Sequence, residues 1–284
     1  MIDDLLGRHV KLRVRDLDDE GAWLDVARDG DPDSPAILLP AREVPAGTVA
    51  GTPLDVFVYL SDDRPTATLR KPLLSLGEVR FLEISAVTDI GAFADWGLGK
   101  ELLIPFAQQS KELFVGEHQP IGLYLDNTGR LAGTMFVSDM LAGDRRRVDR
   151  EEWIEGEAWR NDPDIGLFAI LERTFVGLVP ASEPHTLRRG DAVKFRVTHI
   201  HPDGKIVLSL RKHAYQEAED DAAAILAVLS RTGAPRVGDR SSPETIRELF
   251  GLSKKAFKRA IGRLLKERAV VVDDRGDVVV PPPR

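Results

Sequence analysis

Not one cysteine occurs among the 284 residues, which excludes disulfides, thiolate metal sites and a cysteine nucleophile, and fits a reducing compartment. Long apolar runs are missing as well. None approaches the roughly eighteen residues a spanning helix requires, and the opening MIDDLLGRHV has no charged-then-apolar leader pattern. A cytoplasmic protein with no membrane partner is expected. Nor is there a surplus of positive charge: the net of -7 excludes a wholly basic nucleic-acid binder, although an average over the whole chain can hide a local basic face. Of six histidines only His199 and His201 stand close together, and two ligands without a third make no metal site, so neither metal nor cofactor is expected. Asp16, Asp18 and Asp19 crowd one turn instead of facing each other across a cleft, and no Ser-His-Asp arrangement is recommended.

What is present is an ordinary folded composition, 43% hydrophobic and 30% charged, with an unusual run at 89 to 105, DIGAFADWGLGKELLIP. Gly97, Gly99 and Lys100 resemble part of a nucleotide loop. A P-loop, however, needs Ser or Thr after its lysine to hold magnesium, and Glu101 stands there. A dinucleotide fingerprint needs a helix opening on the glycines, whereas LLIP reads as a strand. The run is better explained as part of a repeat.

Three stretches share one order of features: a glycine-led strand, a Gly-x-aromatic strand, a Leu/Ile-x-Pro segment, a second glycine and a hairpin. The first has Gly7, GAW at 21 to 23, LLP at 38 to 40, Gly51 and the hairpin around SDDR. The second has Gly77, GAF at 91 to 93, LIP at 103 to 105, Gly116 and DNTG. The third has Gly156, GLF at 166 to 168, LVP at 178 to 180, Gly190 and HPDG. Aromatic and proline lie twelve residues apart in copies two and three and seventeen in copy one, where RDGDPDSPA reads as a loop insertion. Strands such as AVKFRVT alternate cleanly, placing Val193, Phe195 and Val197 on one face. Five short strands in so few residues avoid exposed edges by closing, which predicts a five-stranded OB barrel per copy. Barrels this small bury few apolar residues, so Phe57 and Tyr59 are expected to pack one barrel on the next.

Beyond about residue 213 the pattern changes to helices. HAYQEAEDDAAAILAVLSRTG reads as an amphipathic helix, Ser242 and Pro243 open a second that Gly251 stops, and Ser253 caps a third. Two β runs around an Asp-Arg-Gly turn follow, completing the outline of a winged helix. The predicted fold is therefore multidomain and mainly β with a C-terminal α+β domain: barrels over 1–65, 66–142 and 147–212, then a winged helix over 213–284.

On the third helix Phe257, Ile261, Leu264 and Leu265 share one side, while Lys254, Lys255, Lys258, Arg259, Arg263 and Lys266 supply a basic face. Residues 241 to 284 carry ten Lys or Arg against six Asp or Glu, a net of +4, which leaves -11 for the rest. Gly262 interrupts the basic face at a cost of about 1 kcal/mol relative to alanine; close approach of a phosphate backbone and crowding by a neighbouring domain are alternative reasons for it. A winged helix presents this helix to nucleic acid, and OB barrels stack unpaired bases on exposed aromatics. Phe93, Trp96 and Phe168 are the candidate platforms and Lys100 a candidate backbone contact. Copy one, with fourteen acidic against seven basic residues over 1 to 66, is disfavoured as a major contact.

The copies resemble the S-one type RNA-binding domain, an OB barrel, through IGAF, GLVPAS at 177 to 182, DNTGR at 126 to 130 and KIVLSLRK at 205 to 212. That resemblance implies RNA contact by Phe93, Asp126 and Arg130 in copy two and by Phe168 and Lys205 in copy three. His201 stands in place of the aspartate, copy one keeps only Trp23, and Pro40, Pro105 and Pro180 stand where the family often has a histidine. The whole order, ending in SSPETIRELFGLSKKAFKRAIGRLLKE, is similar to the conserved virulence factor B family of bacterial proteins. This implies a non-catalytic RNA-binding regulator of gene expression, single-stranded RNA being the favoured partner and ribosome or transcription machinery further ones. A duplex-DNA transcription regulator and a protein-docking adaptor are the alternatives; oligomeric state is not readable from the chain.

Overall fold

A computed structural model describes residues 2–26, 34–61, 64–142, 147–211, 214–231 and 233–281. The expected insertion at 28 to 36 of copy one lies largely outside them. The chain divides into two compact units, one up to Leu210 and one from Arg211.

In the first unit, alternation makes HVKLRVRDL a strand, β1 (His9–Leu17), with Leu12 and Val14 turned inward. β2 (Gly21–Asp25), β3 (Ala36–Pro40), β4 (Pro53–Ser61) and β5 (Arg64–Thr68) follow. They close in the order β1-β2-β3-β5-β4, and only the β3–β5 contact is parallel. The third copy closes identically through β11 (Trp153–Asp162), β12 (Gly166–Leu171), β13 (Phe175–Pro180), β14 (Ala192–Ile200) and β15 (Ile206–Ser209). Between them β6 (Val79–Thr88), β7 (Gly91–Ala94), β8 (Leu102–Pro105), β9 (His118–Leu125) and β10 (Leu131–Thr134) run in the same neighbour order. Here β8 and β10 are apposed, with Ile104 packed against Gly133, but no ladder joins them among the described residues.

Three devices recur at equal positions and bend these strands into barrels. The first is a bulge that skips one residue of the leading strand, at Arg15, Ser85 and Trp159. The second is the corner glycine, Gly21, Gly91 or Gly166, with φ of 149°, 146° and 131°. A methyl group there would overlap the carbonyl oxygen of Leu39, Ile104 or Val179, so no other residue fits. The third is the second glycine, whose N–H donates to the residue just before the bulge: Gly51 to Val14, Gly116 to Ile84, Gly190 to Ala158, at 2.7 to 2.8 Å.

The closing seam of the outer barrels is also clamped by a carboxylate. Glu43 Oε2 accepts from Thr68 Oγ1 at 2.6 Å and from the Leu69 N–H at 2.9 Å. Glu183 Oε1 does the same for Ser209 and Leu210, at 3.1 and 2.7 Å. In the middle barrel the residue three past the proline is Gln108, which offers only its backbone carbonyl, to Met135 N–H at 2.8 Å.

Apolar seams join the barrels. Phe57 leaves the barrel that carries it and packs fully buried among Trp96, Ile84 and Ile104 of the middle one, its ring 5.9 Å edge-on from Trp96, with Tyr59 beside it. Middle and third barrels meet through Phe81 and Ile170, with the Phe81 N–H on Glu157 at 3.0 Å and the Val79 N–H on the Arg173 carbonyl at 2.7 Å.

The second unit packs α1 (Ala214–Leu229), α2 (Pro243–Phe250) and α3 (Lys254–Lys266) around Ile225, Ile246, Phe257 and Leu264. Ser242 and Ser253 cap α2 and α3 by accepting from Thr245 and Ala256 N–H. A short hairpin, β16 (Val271–Val272) and β17 (Val278–Val279), completes a winged helix. Leu265 lies at the rim of its core and stays 37% exposed. Among the described residues no helix is long and apolar enough to cross a membrane.

Candidate nucleic-acid interface

The residue two past each corner glycine points away from the barrel core, because alternation sends its neighbours inward. Trp23, Phe93 and Phe168 therefore occupy one register position, each partly exposed. Their surroundings differ. The residue opposite on the leading strand is Asp16 for Trp23, Ala86 for Phe93 and Arg160 for Phe168. Asp18 also accepts a bond from Trp23 Nε1 at 2.7 Å, and that bond, more than any other influence, holds its carboxyl below the usual range. The first barrel thus surrounds its ring with negative charge, whereas in the third the Arg160 guanidinium lies between the Phe168 and Trp159 rings, 4.5 and 4.9 Å from their centroids.

The hairpin residues have a structural duty first. Asp126 Oδ1 accepts from Thr128 Oγ1 at 2.6 Å, Thr128 N–H at 2.8 Å and Arg130 N–H at 3.0 Å, so it organises the β9–β10 turn. The Thr128 hydroxyl is the main cause of its lowered pKa. Arg130 leaves this turn exposed. In the third barrel His201 holds the backbone position of Asp126, bonding Lys205 as Asp126 bonds Arg130, but the carboxylate comes from Asp203. Its Oδ2 lies 2.8 Å from Lys205 Nζ, a contact that raises the lysine pKa and lowers its own. Asp203 was hidden in the sequence because the acid has moved two residues along the turn.

Trp96 is a correction. It is 4% exposed, its ring against Phe57 and its Nε1 donating to the Lys100 carbonyl at 2.6 Å, so it has no face to offer a base. Trp96 instead closes the seam between two barrels, and Lys100 stands exposed at the rim of that seam. An exposed aromatic the sequence did not single out lies nearby: Phe106, 55% exposed, follows the proline that pairs with Gly91. The other barrels have Ala41 and Ala181 at that place.

On α3 the basic face divides. Arg263 reaches Glu267 at 2.8 Å and Glu219 of α1 at 3.4 Å, and Arg259 reaches Asp221 at 3.7 Å. Lys258 pairs with Asp239 at 2.7 Å. Lys254 stands half-buried at the first turn. Lys255 and Lys266 are exposed on either side of Gly262, where an added methyl would meet nothing within 4 Å. Among the described residues of the second unit, then, nothing crowds position 262. The outermost stripe of the helix is Lys255, Gly262 and Lys266, and the arginines are turned toward acids of α1.

Two family models match the chain, an S1 domain over residues 6–70 and a CvfB-like winged helix domain over 223–276. The S1 match falls on the barrel whose hairpin departs most from the repeat. Conserved virulence factor B of Staphylococcus epidermidis is 30% identical over 217 residues, covering 73% of this chain and 72% of that protein. The protein YitL of Bacillus subtilis is 29% identical, covering 93% and 90%. A solved structure from Streptococcus pneumoniae, described as a multidomain protein with nucleic acid binding domains, aligns over 98% of this chain and 99% of its own, at 22% identity and a TM-score of 0.41.

Proposed function

This chain belongs to the conserved virulence factor B family, and on that premise we propose that it is a non-catalytic RNA-binding protein, a post-transcriptional regulator acting in the cytoplasm. One observation carries the reading: Phe93 and Phe168 repeat at one register position in two barrels, each a partly exposed ring on the outward side of the strand that follows the corner. A ring so placed stacks on any unpaired base, which favours single strands and tolerates sequence. Arg130 and Lys205 rise from the adjoining hairpins to meet phosphates, and Lys255 and Lys266 do the same on the winged helix. Such binding needs no reaction. Ribosome and transcription machinery are the assemblies on which single-stranded RNA of this kind is met.

Fluorescence anisotropy with labelled single-stranded RNA tests this. Binding is expected, with log affinity falling linearly with log salt as counterions are released, and with duplex DNA a poor competitor. No binding at low salt overturns the reading. Preferential displacement by duplex DNA would replace it with a winged-helix DNA regulator.

A further inference from the structure

Where the first barrel meets the middle one, a groove of about 410 Å³ opens between Arg42, Tyr59, Ser61, Arg70 and Lys100. Its three cations come from three separate places: the turn after β3, the linker after β5 and the turn joining β7 to β8. Among the described residues none of the three takes part in an ion pair. The one carboxylate in the lining, Glu43, is already engaged by Thr68 and Leu69. The loop bearing Lys100 is fixed, because its carbonyl accepts the Trp96 indole at 2.6 Å, and its backbone lies against a guanidinium: a methyl on Gly99 would come within 3.5 Å of Arg70 Nη1. Tyr59, half-buried, keeps its phenolic proton, since burial foremost and then Glu43 push its pKa up. Three cations and the Tyr59 hydroxyl, itself hydrogen-bonded by Ser61, thus converge on solvent-open space, in a barrel otherwise rich in acid.

We propose that this groove binds the phosphate backbone of single-stranded RNA, with Arg42, Arg70 and Lys100 as the phosphate ligands. The inference rests on the RNA-binding reading above and extends it to the junction with the first barrel. Continuity supports a strand as the ligand. Ala94, next to Phe93, pairs with Leu102, and the loop they enclose carries Lys100, so a strand stacked on Phe93 runs on into the groove. The first barrel then contributes through its edge and not through Trp23, whose surroundings are acidic.

The test is a salt titration of RNA affinity for the full chain and for the triple variant Arg42→Ala, Arg70→Ala, Lys100→Ala. Each single-strand phosphate contact contributes about 0.7 to the slope of log affinity against log salt, so the variant is expected to lose about 2. The charge-keeping variant Arg42→Lys, Arg70→Lys should keep the wild-type slope, and an unchanged unfolding midpoint shows that the triple variant is folded. As a second measurement on wild-type protein, RNA bearing 5-iodouridine should photo-crosslink to the peptide containing Tyr59. Wild-type binding with an unchanged slope in the triple variant and no such crosslink overturns the groove alone. A mononucleotide that binds as tightly as the oligonucleotide would assign the groove to a small anion and also overturn it. Wild-type protein that binds no RNA overturns the RNA reading and this inference together.

Discussion

The guanidinium of Arg160 stands over the Phe168 ring, 4.5 Å from its centroid. The same position holds Ala86 beside Phe93 and Asp16 beside Trp23, so three repeats of one fold present a cation, a bare ring and an anion in turn. A polyanion distinguishes them. Stacking on an aromatic contributes about 1–3 kcal/mol per base, and a carboxylate beside the ring opposes the approach of phosphate.

Phe93→Ala and Phe168→Ala should each weaken single-stranded RNA binding by about 1–3 kcal/mol, roughly five- to 150-fold. Trp23→Ala should change it less than twofold. Anisotropy titrations at one salt concentration check all three, and a Trp23 effect equal to that of Phe93 would contradict the charge argument.

Trp96→Phe should separate stability from binding. The variant keeps most of the buried ring but loses the indole bond to the Lys100 carbonyl, a net loss of about 1 kcal/mol, read as a lower urea midpoint. RNA affinity should fall only modestly, through the loosened Lys100 loop. A loss as large as that of Phe93→Ala would return Trp96 to the set of base platforms.

Gly262→Ala should stabilise the second unit by about 1 kcal/mol, because the helix interior favours alanine and the added methyl meets open space. If α3 lies on a phosphate backbone, the same methyl should weaken binding. Thermal unfolding together with RNA affinity measures both; a gain in stability with undiminished affinity would show that nothing approaches the helix there.

Asp126 predicts a pH dependence. Its folded pKa is lowered from the ordinary 3.8, mainly by the Thr128 hydroxyl, so its contribution is fully present above 3.8 and is lost as pH falls through the lowered value. Asp126→Asn should flatten the acid limb of the stability profile below about pH 4 and leave stability near pH 7 less affected than Asp126→Ala, since an amide oxygen still accepts the turn bonds. Acid titration followed by circular dichroism checks the sign.

Much of this is legible in the sequence. The corner glycines, the aromatic two residues on, the hairpins and the caps at Ser242 and Ser253 are local signals, fixed by sterics within a few residues. The burial of Trp96 is not a local signal, because it depends on where Phe57 of another barrel docks, a contact between residues 39 positions apart. The division of the α3 face was hidden for the same reason: a helical wheel shows that Arg259 and Arg263 are outward, but not that Asp221 and Glu219 of α1 wait beside them. The clamps of Glu43 and Glu183 sit in turns whose sequence alone gives no sign of the strand ends they secure.

The unladdered seam of the middle barrel has a consequence for motion. Among the described residues, with Gln108 in place of a clamping glutamate and no ladder between β8 and β10, this seam has less to break in order to open than its counterparts in the flanking barrels. Amide protons along that seam should exchange with solvent faster than their counterparts in the flanking barrels. The barrel with the least encumbered aromatic is thus also the one whose wall can breathe, so fit to differently shaped RNAs is available there without unfolding its neighbours.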